Sequence, residues 1–326
     1  MAPILEVRDL HIAYPSRSGT PVRALAGVDF SLSSGEILGI LGESGSGKST
    51  LAAALLNLLP PQGRISRGSV CFEGIDLLAA DEGRLREIRG ARISLIHQEP
   101  SIALHPTMRV RAQVDEVVRA HLNTAGGTRR AKTDAALGAV FGSEAGSLGA
   151  RYPHELSGGQ RQRVLIAQAI ACGPSILIAD EPTASLDSVT QAGIFALFGE
   201  LQRSLGLALI LITHNPALLA GFAHRVLVLY AGGIAELGPA ADVISQPKHP
   251  YTKALLDSLP PWPTPAASTT ARLPMIPGDL PDLAAPSLAC RFEPRCPVRM
   301  EVCNTREPAA TALGPAHSVS CFKFGG

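Results

Sequence analysis

The sequence predicts an α/β fold with a largely parallel β-sheet, and three observations indicate this class. Three segments are continuously apolar, which is typical of strands that are covered on both faces. They are residues 176–179, 207–212 and 226–229. Helical and strand patterns alternate from residue 164 onward, as in a parallel sheet with crossover helices. An apolar strand over residues 36–41 also leads through a glycine-rich turn into a helix over 49–59, which Pro60 and Pro61 end.

Strand patterns also open the chain. Residues 5–8 alternate between apolar and polar, and residues 28–32 alternate again before a Ser-Ser-Gly turn. Residues 68–74 suggest a hairpin. These segments predict an N-terminal antiparallel β subdomain.

A different pattern occupies the middle of the chain. Residues 92–97 form one more predicted strand, and residues 110–122 then have helical spacing. Gly126-Gly127 and the glycine-rich residues 142–149 divide the remainder into short helices. We therefore expect an inserted helical subdomain over about residues 100–160.

The composition limits the partners and the cellular location that can be expected. The chain has 29 Lys and Arg against 28 Asp and Glu residues. Its net charge is therefore close to zero and gives no overall electrostatic attraction to nucleic acid or anionic lipid. No apolar run approaches the roughly 18 residues that a membrane-spanning helix needs. The N-terminus lacks a basic segment followed by an apolar one, so no secretory signal is predicted. We expect a cytosolic location, with any membrane contact made through a partner.

The strongest motif is the phosphate loop, residues 42–49, which matches the pattern G-x-x-x-x-G-K-S. Its glycines let successive N–H groups turn inward as an anion site at the start of a helix. Lys48 supplies a charge for the β- and γ-phosphates, and the Ser49 hydroxyl suits Mg²⁺. The loop predicts binding of a nucleoside triphosphate. The residues expected to contact it are Gly42, Ser44, Gly45, Ser46, Gly47, Lys48, Ser49 and Thr50.

One aromatic residue upstream has two interpretations. Tyr14 closes the first strand region, where its ring could stack on an adenine base. An ordinary tyrosine at a strand end fits the same pattern, and both interpretations stay open.

A second group of polar residues follows the helical insertion. The signature turn, residues 156–160 (Leu-Ser-Gly-Gly-Gln), stands directly before an amphipathic helix over 161–171. Ser157 can cap that helix, and Gly158 and Gly159 let its first N–H groups approach a phosphate closely.

Carboxylates and a histidine end the next strands. Asp180 and Glu181 close an apolar strand; the first is suited to hold Mg²⁺ through water, and the second to polarise an attacking water. Asp187 follows on a loop, and His214 ends the next strand. Each of these has an ordinary interpretation alone: a helix cap, a solvated strand end, a core histidine. Their order behind a phosphate loop instead indicates ATP hydrolysis.

With these motifs the chain resembles the ATP-binding subunits of ABC transporters over nearly its whole length. The resemblance implies a P-loop NTPase core of the ABC type that hydrolyses bound ATP. It implies a catalytic set of Lys48, Gln98, Glu181 and His214, and Mg²⁺ ligands Ser49, Gln98 and Asp180. The signature residues Ser157, Gly158, Gly159 and Gln160, with Asp187, would close over ATP held by a partner subunit. Hydrolysis would therefore require a dimer.

Within this family the chain is most similar to the importers of oligopeptides and dipeptides, whose relatives also carry nickel. Three segments carry the likeness: residues 152–155, residues 249–256 and the tail residues 276–292. The resemblance implies a second ATPase subunit, identical or related, and two transmembrane permease subunits. It also implies an extracytoplasmic binding protein and a peripheral place on the cytoplasmic face of the membrane. Nickel or another small solute is the alternative cargo.

Other ATPase classes fit less well. A DNA-repair or chromosome-organising ATPase needs a long coiled coil or a basic stripe, and neither pattern appears. A soluble translation-type protein of this family would carry two phosphate loops. A regulatory subunit would lack Glu181 or the signature turn. No nucleic-acid partner is expected.

The composition changes near residue 245. Fourteen of the 26 prolines lie between Pro247 and Pro315. We therefore predict an ATP-binding domain over residues 1–245 and a C-terminal extension, residues 246–326, that is irregular rather than a second sheet.

Four cysteines lie in this extension: Cys290, Cys296, Cys303 and Cys321. A proline-rich tail offers little core to bury thiols, and a reducing cytosol disfavours disulfides. The wide spacing favours a structural four-iron iron–sulfur cluster ([4Fe-4S]) over zinc, which usually binds closely spaced cysteine pairs. The resemblance points the same way, since similar tails in peptide-importer ATPases are associated with such clusters. Zn²⁺ is the alternative. Cys71 and Cys172 are expected to be core thiols.

Overall fold

The computed structural model describes residues 2–16, 19–97, 103–122, 126–258, 275–284 and 289–325. The chain divides into two units. The first unit comprises Met1–Pro3, Leu32–Ile37 and Ala79–Ile212, and the second comprises Ile4–Ser31, Leu38–Leu78 and Thr213–Gly326.

The strands, in chain order, are β1 (Leu5–Tyr14), β2 (Val22–Leu32), β3 (Ile37–Leu41), β4 (Arg64–Phe72), β5 (Ile75–Asp76), β6 (Ile93–Ile96), β7 (Ile176–Asp180), β8 (Ala208–Ile212), β9 (Arg225–Tyr230), β10 (Gly233–Pro239), β11 (Thr311–Gly314) and β12 (His317–Val319). The α-helices are α1 (Lys48–Ala54), α2 (Glu82–Ile88), α3 (Val110–His121), α4 (Gly126–Phe141), α5 (Ala145–Gly149), α6 (Gly158–Ile170), α7 (Ser188–Leu205), α8 (Ala240–Ser245) and α9 (Pro250–Asp257).

The first unit contains three parallel strands. β6 pairs with β7 and β7 with β8, with Ile93 opposite Ile176 and Ile176 opposite Ala208. Every residue of β8 is buried. The continuous apolar runs therefore formed buried parallel strands, as the sequence predicted.

Helices α3, α4 and α5 form the predicted helical insertion within the first unit. α3 buries Val110, Val114 and Val118, which recur every fourth residue and so lie on one stripe of the helix. The stripe of α4 is formed by Thr133, Ala136, Leu137 and Val140. Such stripes pack helix against helix.

The second unit contains two groups of strands. The N-terminal group has the order β2-β1-β4-β5, and β1 is antiparallel to β4 with Leu5 opposite Phe72. The other group has the order β11-β12-β10-β9-β3; β3 is parallel to β9, while the remaining pairs are antiparallel. The N-terminal antiparallel subdomain is thus confirmed.

β1 contains a bulge and ends at Tyr14, the residue that the sequence placed at the close of the first strand region. Its register shifts between Arg8 and His11, where Asp9 has a φ of 44°. Such a bulge interrupts the alternation of apolar and polar residues, so the pattern stops while the strand continues to Tyr14.

α1 is shorter than predicted, and Asn57 explains its end. Asn57 adopts a φ of 50°, and the Leu58 N–H donates to the carbonyl of Ala53 (2.8 Å). An asparagine in the left-handed region with such a backward bond closes a helix. The helix therefore stops before the prolines that were expected to end it.

The C-terminal extension is more regular than predicted. Besides α9, it supplies β11 and β12, and β12 pairs with β10 through Glu236 opposite Val319. Strands of four and three residues are too short to leave a readable pattern in the sequence. The boundary at residue 245 stays a prediction.

An aromatic cluster fixes part of the extension. The rings of Tyr230, Tyr251 and Phe292 lie 4.3 to 5.5 Å apart between centroids. Tyr251 is fully buried, and Phe292 is 2% exposed. Offset and edge-to-face ring pairs each contribute about 0.5–1.5 kcal/mol beyond their buried area.

A buried carboxylate lies close to this cluster. Glu236 is fully buried and accepts hydrogen bonds from the backbone N–H groups of Lys248 (3.0 Å) and His249 (2.9 Å). Oε1 of Glu236, the oxygen that accepts the 3.0 Å bond from Lys248, also lies 2.9 Å from Nε2 of His317. Nδ1 of His249 accepts from the Tyr251 N–H and so caps α9.

This environment makes stability depend on pH. Burial lowers the pKa of His249 from 6.5 to about 4, partly opposed by the Glu236 carboxylate. Between these values the unfolded chain binds a proton at His249 that the folded chain does not. The stabilisation is complete above pH 6.5 and is lost as the pH falls, by about 1.4 kcal/mol per pH unit.

We therefore expect His249→Asn, which keeps a capping oxygen but cannot titrate, to flatten the pH dependence. Between pH 7 and pH 5 the wild-type chain should lose about 2 kcal/mol more of its free energy of unfolding than the variant. Urea unfolding at the two pH values measures this. Equal losses in both proteins would contradict the assignment.

Candidate nucleotide-binding site

The phosphate loop joins the end of β3 to the start of α1 in the second unit. A Cβ on Gly42 would lie 2.3 Å from the Leu229 carbonyl oxygen. Gly47 has a φ of 107°, and a Cβ there would lie 2.5 Å from the Ala24 carbonyl oxygen. The glycines are therefore required by backbone conformation and by close packing, as the motif predicts.

Lys48 lies inside this loop. The side chain is 7% exposed, and its Nζ donates to the carbonyl oxygens of Gly42 (2.8 Å) and Glu43 (2.9 Å). The ammonium group is thus held in a fixed place at the centre of the loop. A positive charge in such a position favours a bound polyphosphate.

The outer side of the loop faces solvent. Ser44, Gly45 and Ser49 are exposed and Thr50 is half-buried. Ser46 is fully buried, and its Oγ has no hydrogen-bond partner within the part of the chain that the structure describes. The loop thus combines exposed residues, which a ligand can reach, with a buried residue, Ser46, on its inner side.

Tyr14 and His214 also lie in the second unit. Tyr14 is half-buried at the end of β1, and stacking on adenine stays a prediction. The Thr213 N–H donates to the Ile40 carbonyl (3.1 Å), which places the chain entering His214 beside the strand that enters the phosphate loop. The His214 side chain is exposed.

Asp180 and Glu181 end β7 in the first unit, and both are half-buried. The Glu181 N–H donates to the Ile212 carbonyl (3.0 Å), and Glu181 adopts a φ of 47°. A non-glycine residue in the left-handed region costs of order 1–3 kcal/mol and persists only where its surroundings fix it. The surrounding structure therefore holds Glu181 in this backbone conformation.

The signature turn begins α6 as predicted. The Ser157 Oγ accepts from the Gln160 N–H (3.3 Å), while the Gln160 side chain accepts from the Ser157 N–H (3.0 Å). This reciprocal capping box fixes the turn. Ser157 and Gly158 are exposed.

Asp187 caps α7 close to this turn. Its carboxylate accepts from the N–H groups of Val189 (3.1 Å) and Thr190 (3.0 Å). Hydrogen bonds from the backbone and hydroxyl of Thr190 hold the pKa of Asp187 below its ordinary value. A Cβ on Gly159 would lie 2.5 Å from Thr190 Cγ2, so the two capped turns approach closely. Gln98, the remaining predicted site residue, lies outside the described residues.

Comparison with known proteins identifies the family. The ABC transporter family model matches residues 25–184, and the model for the oligopeptide/dipeptide transporter C-terminal region matches residues 235–303. The dipeptide transport ATP-binding protein DppD of Bacillus subtilis is 42% identical over 99% of this chain and 95% of its own. The oligopeptide transport ATP-binding protein OppD of Salmonella typhimurium is 43% identical, over 98% and 93%.

The chain belongs to the ATP-binding protein family of ABC transporters. Solved structures agree: a dimeric ABC cassette, MJ0796, bound to ADP and Pi, has a TM-score of 0.64 at 28% identity, covering 72% of this chain and 98% of that one. The cbiO1 cassette from Clostridium perfringens has a TM-score of 0.65 at 29% identity, over 76% and 92%. The predicted ABC-type core and ATPase activity are confirmed. No helix within the described ranges combines the length and apolar character needed to cross a membrane.

The predicted iron–sulfur site is wrong. Among the described residues, which include all four tail cysteines, no group of three or more His, Cys, Asp or Glu side chains could hold a metal ion. The [4Fe-4S] cluster and the zinc alternative therefore lack support, and all six cysteines are free thiols.

The error came from the assumption that the tail has no core. Cys303 is 7% exposed and Val319 is 1% exposed, and Phe292 belongs to the aromatic cluster. Burial also raises the pKa of Cys290 to about 11, so this thiol is neutral near pH 7. Ordinary packing accounts for such residues.

The sequence analysis missed two residues that touch the phosphate loop. The Tyr251 hydroxyl accepts from the Glu43 N–H (2.9 Å), and the Arg295 guanidinium binds the Glu43 carboxylate. Tyr251 lies in a segment quoted for the family resemblance, and Arg295 lies three residues beyond the last of those segments. Their contacts join residues more than 200 positions apart, which no local pattern reveals.

We expect Gly47→Ala to disrupt the loop. The added methyl group meets the Ala24 carbonyl, and the left-handed backbone adds strain of about 1–3 kcal/mol. Thermal unfolding should show lower stability, and a fluorescent ATP analogue should bind at least tenfold more weakly. Gly126→Ala is the matched control, because no atom of the described residues would lie within 4 Å of a Cβ there. Unchanged binding by Gly47→Ala would contradict this account.

Proposed function

We propose that this chain hydrolyses ATP to drive an importer of oligopeptides or dipeptides. The observation that carries the proposal is the phosphate loop, whose glycine cradle closes around the buried ammonium group of Lys48. The peptide cargo is supported by the names of the relatives, which are dipeptide and oligopeptide transport ATP-binding proteins. It is also supported by the match to the oligopeptide/dipeptide transporter C-terminal region.

In this proposal the triphosphate lies on the phosphate loop. Lys48 and the loop N–H groups bind its oxygens, and Tyr14 stacks on the base. Ser49 and Asp180, with Gln98, would hold Mg²⁺, because hydroxyl and carboxylate oxygens are its preferred ligands. When bound there, the ion would supply positive charge that offsets the negative charge of the phosphate oxygens.

Glu181 is the proposed general base. Its carboxylate orients and polarises the attacking water, while His214 contacts the γ-phosphate. Phosphoryl transfer depends mainly on positioning and charge neutralisation rather than on covalent chemistry. The left-handed backbone conformation of Glu181 suits that requirement, because it fixes the direction in which the side chain leaves the main chain.

Hydrolysis also needs a second ATPase subunit in this proposal. The signature turn is exposed and rigidly capped, and its helix start can meet a phosphate on a partner chain. Asp187, on the neighbouring capped turn, accompanies it. The dimeric state of the MJ0796 cassette supports this arrangement.

The membrane partners are two permease subunits, contacted through residues 98–108. Ala103 and Thr107, in the described part of that segment, are exposed. The chain would lie peripherally on the cytoplasmic face of the membrane. A binding protein outside the membrane delivers the peptide.

We expect Glu181→Gln to retain ATP binding and to reduce the turnover of the assembled complex at least 100-fold, because the water loses its base. Lys48→Ala should instead weaken ATP binding itself. Steady-state ATPase rates and equilibrium ATP binding separate the two effects. Glu200→Gln, an exposed glutamate on α7, is the control and should behave as wild type. Near wild-type hydrolysis by Glu181→Gln would reject the assigned base.

A cysteine placed at Ala103 or Thr107 should crosslink to the membrane subunits when the whole complex is present. A cysteine at the exposed Gln62, in the second unit, is the control and should not. Mass spectrometry of the crosslinked products identifies the partner. Products that contain only the other ATPase subunit would contradict the proposed contact.

A further inference from the structure

The C-terminal extension reaches the phosphate loop through Arg295. Its Nη1 donates to Glu43 Oε2 (2.8 Å) and its Nη2 to Glu43 Oε1 (3.1 Å), so the pair is bidentate. Arg295 is 6% exposed. The Glu43 side chain is 25% exposed. Bidentate pairs between arginine and carboxylate fix orientation as well as charge, and a partly buried pair is screened by salt less than an exposed one.

Further bonds hold the Arg295 guanidinium. Its Nε donates to the Pro277 carbonyl (2.9 Å), and Nη1 lies 3.4 Å from the Tyr230 hydroxyl. The hydrogen bonds with Glu43 raise the pKa of Arg295 above its ordinary value. The bonds to Pro277 and Tyr230 therefore hold the guanidinium group in place in addition to its bonds with Glu43.

Glu43 is held at its main chain as well. Its N–H donates to the Tyr251 hydroxyl, and its carbonyl accepts from the Lys48 Nζ (2.9 Å). One loop residue thus connects the extension to the lysine that is proposed to bind phosphate. A second tail residue lies nearby, since Leu280 Cδ1 would be 3.5 Å from a Cβ on Gly45.

The charge on Glu43 gives this contact a consequence for binding. A carboxylate in a loop that receives a triphosphate repels it, unless a cation neutralises that carboxylate. Lys48 donates to the Glu43 main-chain carbonyl, whereas Arg295 binds the Glu43 carboxylate itself. Arg295 both cancels the charge and fixes where the carboxylate points.

We propose that Arg295 is a positioning residue for ATP binding, which neutralises and orients Glu43 so that nucleotide affinity depends on the docked C-terminal extension. This inference rests on the proposed function, because it assumes that the phosphate loop binds ATP. Arg295 itself does not touch the nucleotide.

The test uses Arg295→Gln in the full-length chain. We expect the Kd for Mg-ATP, measured by calorimetry, to rise at least fivefold, because Glu43 then carries an unpaired charge. In the assembled complex KM for ATP should rise by a similar factor, with kcat at saturation within twofold of wild type. Arg299→Gln is the matched control, because Arg299 carries the same charge in the same segment but pairs with Glu293 at the surface.

The second variant separates charge control from simple folding of the tail. Adding Glu43→Gln to Arg295→Gln removes the unpaired carboxylate and should restore the Kd at least threefold. If Arg295 only stabilised the tail, the double variant would bind ATP no better than Arg295→Gln, and the inference would be overturned. Unchanged Kd in a folded Arg295→Gln would overturn it too.

A variant that keeps the charge covers the case in which Arg295→Gln does not fold. Arg295→Lys preserves a cation but not the bidentate bond, so its Kd should rise less than fivefold and more than the Arg299→Gln value. A Kd equal to that of wild type would reject the positioning role. A wild-type chain that bound no ATP would instead reject the proposed function, which is a separate result.

Discussion

The ammonium group of Lys48, buried inside the phosphate loop, is the interaction on which the rest of the second unit depends. It lies at hydrogen-bonding distance from two main-chain carbonyls of its own loop. The neighbouring strands pack so closely on this loop that a Cβ at Gly42 or Gly47 would meet the main-chain carbonyl of Leu229 or Ala24. The motif therefore has a steric role and an electrostatic role. Its glycines allow the tight turn of the loop, and that turn places the Lys48 ammonium group where a phosphate can bind.

The C-terminal extension belongs to this arrangement. Tyr251 receives the Glu43 N–H and also packs in the aromatic cluster with Tyr230 and Phe292. The cluster lies close to the fully buried Glu236, which the neighbouring backbone N–H groups satisfy. Packing and hydrogen bonds thus connect the C-terminal extension to Glu43 of the phosphate loop. A segment that looks like an appendage in the sequence therefore contacts the phosphate loop at Glu43.

The sequence predicted what local patterns encode. The buried strands β7, β8 and β9 follow from continuous apolar runs, and the helix cap at Ser157 follows from a serine placed at the start of an amphipathic run. Where a left-handed Asn57 changed the chain direction, the pattern gave the wrong end for α1. The iron–sulfur prediction failed for a related reason, because composition alone suggested a tail without a core. The bond between Glu43 and Arg295 could not be predicted, since it joins loops 252 residues apart.

The first unit presents its polar groups on backbone that is already fixed. Glu181 is held in a left-handed conformation by its bond to Ile212, and the Ser157 turn is closed by two reciprocal hydrogen bonds. Hydrogen bonds from Thr190 and Val189 hold the pKa of Asp187 below its ordinary value. Phosphoryl transfer requires little covalent chemistry from the protein, so groups that need no rearrangement are the useful ones. Strain and capping at these positions are consistent with catalysis by preorganisation, in which the cost of ordering the site is met when the chain folds.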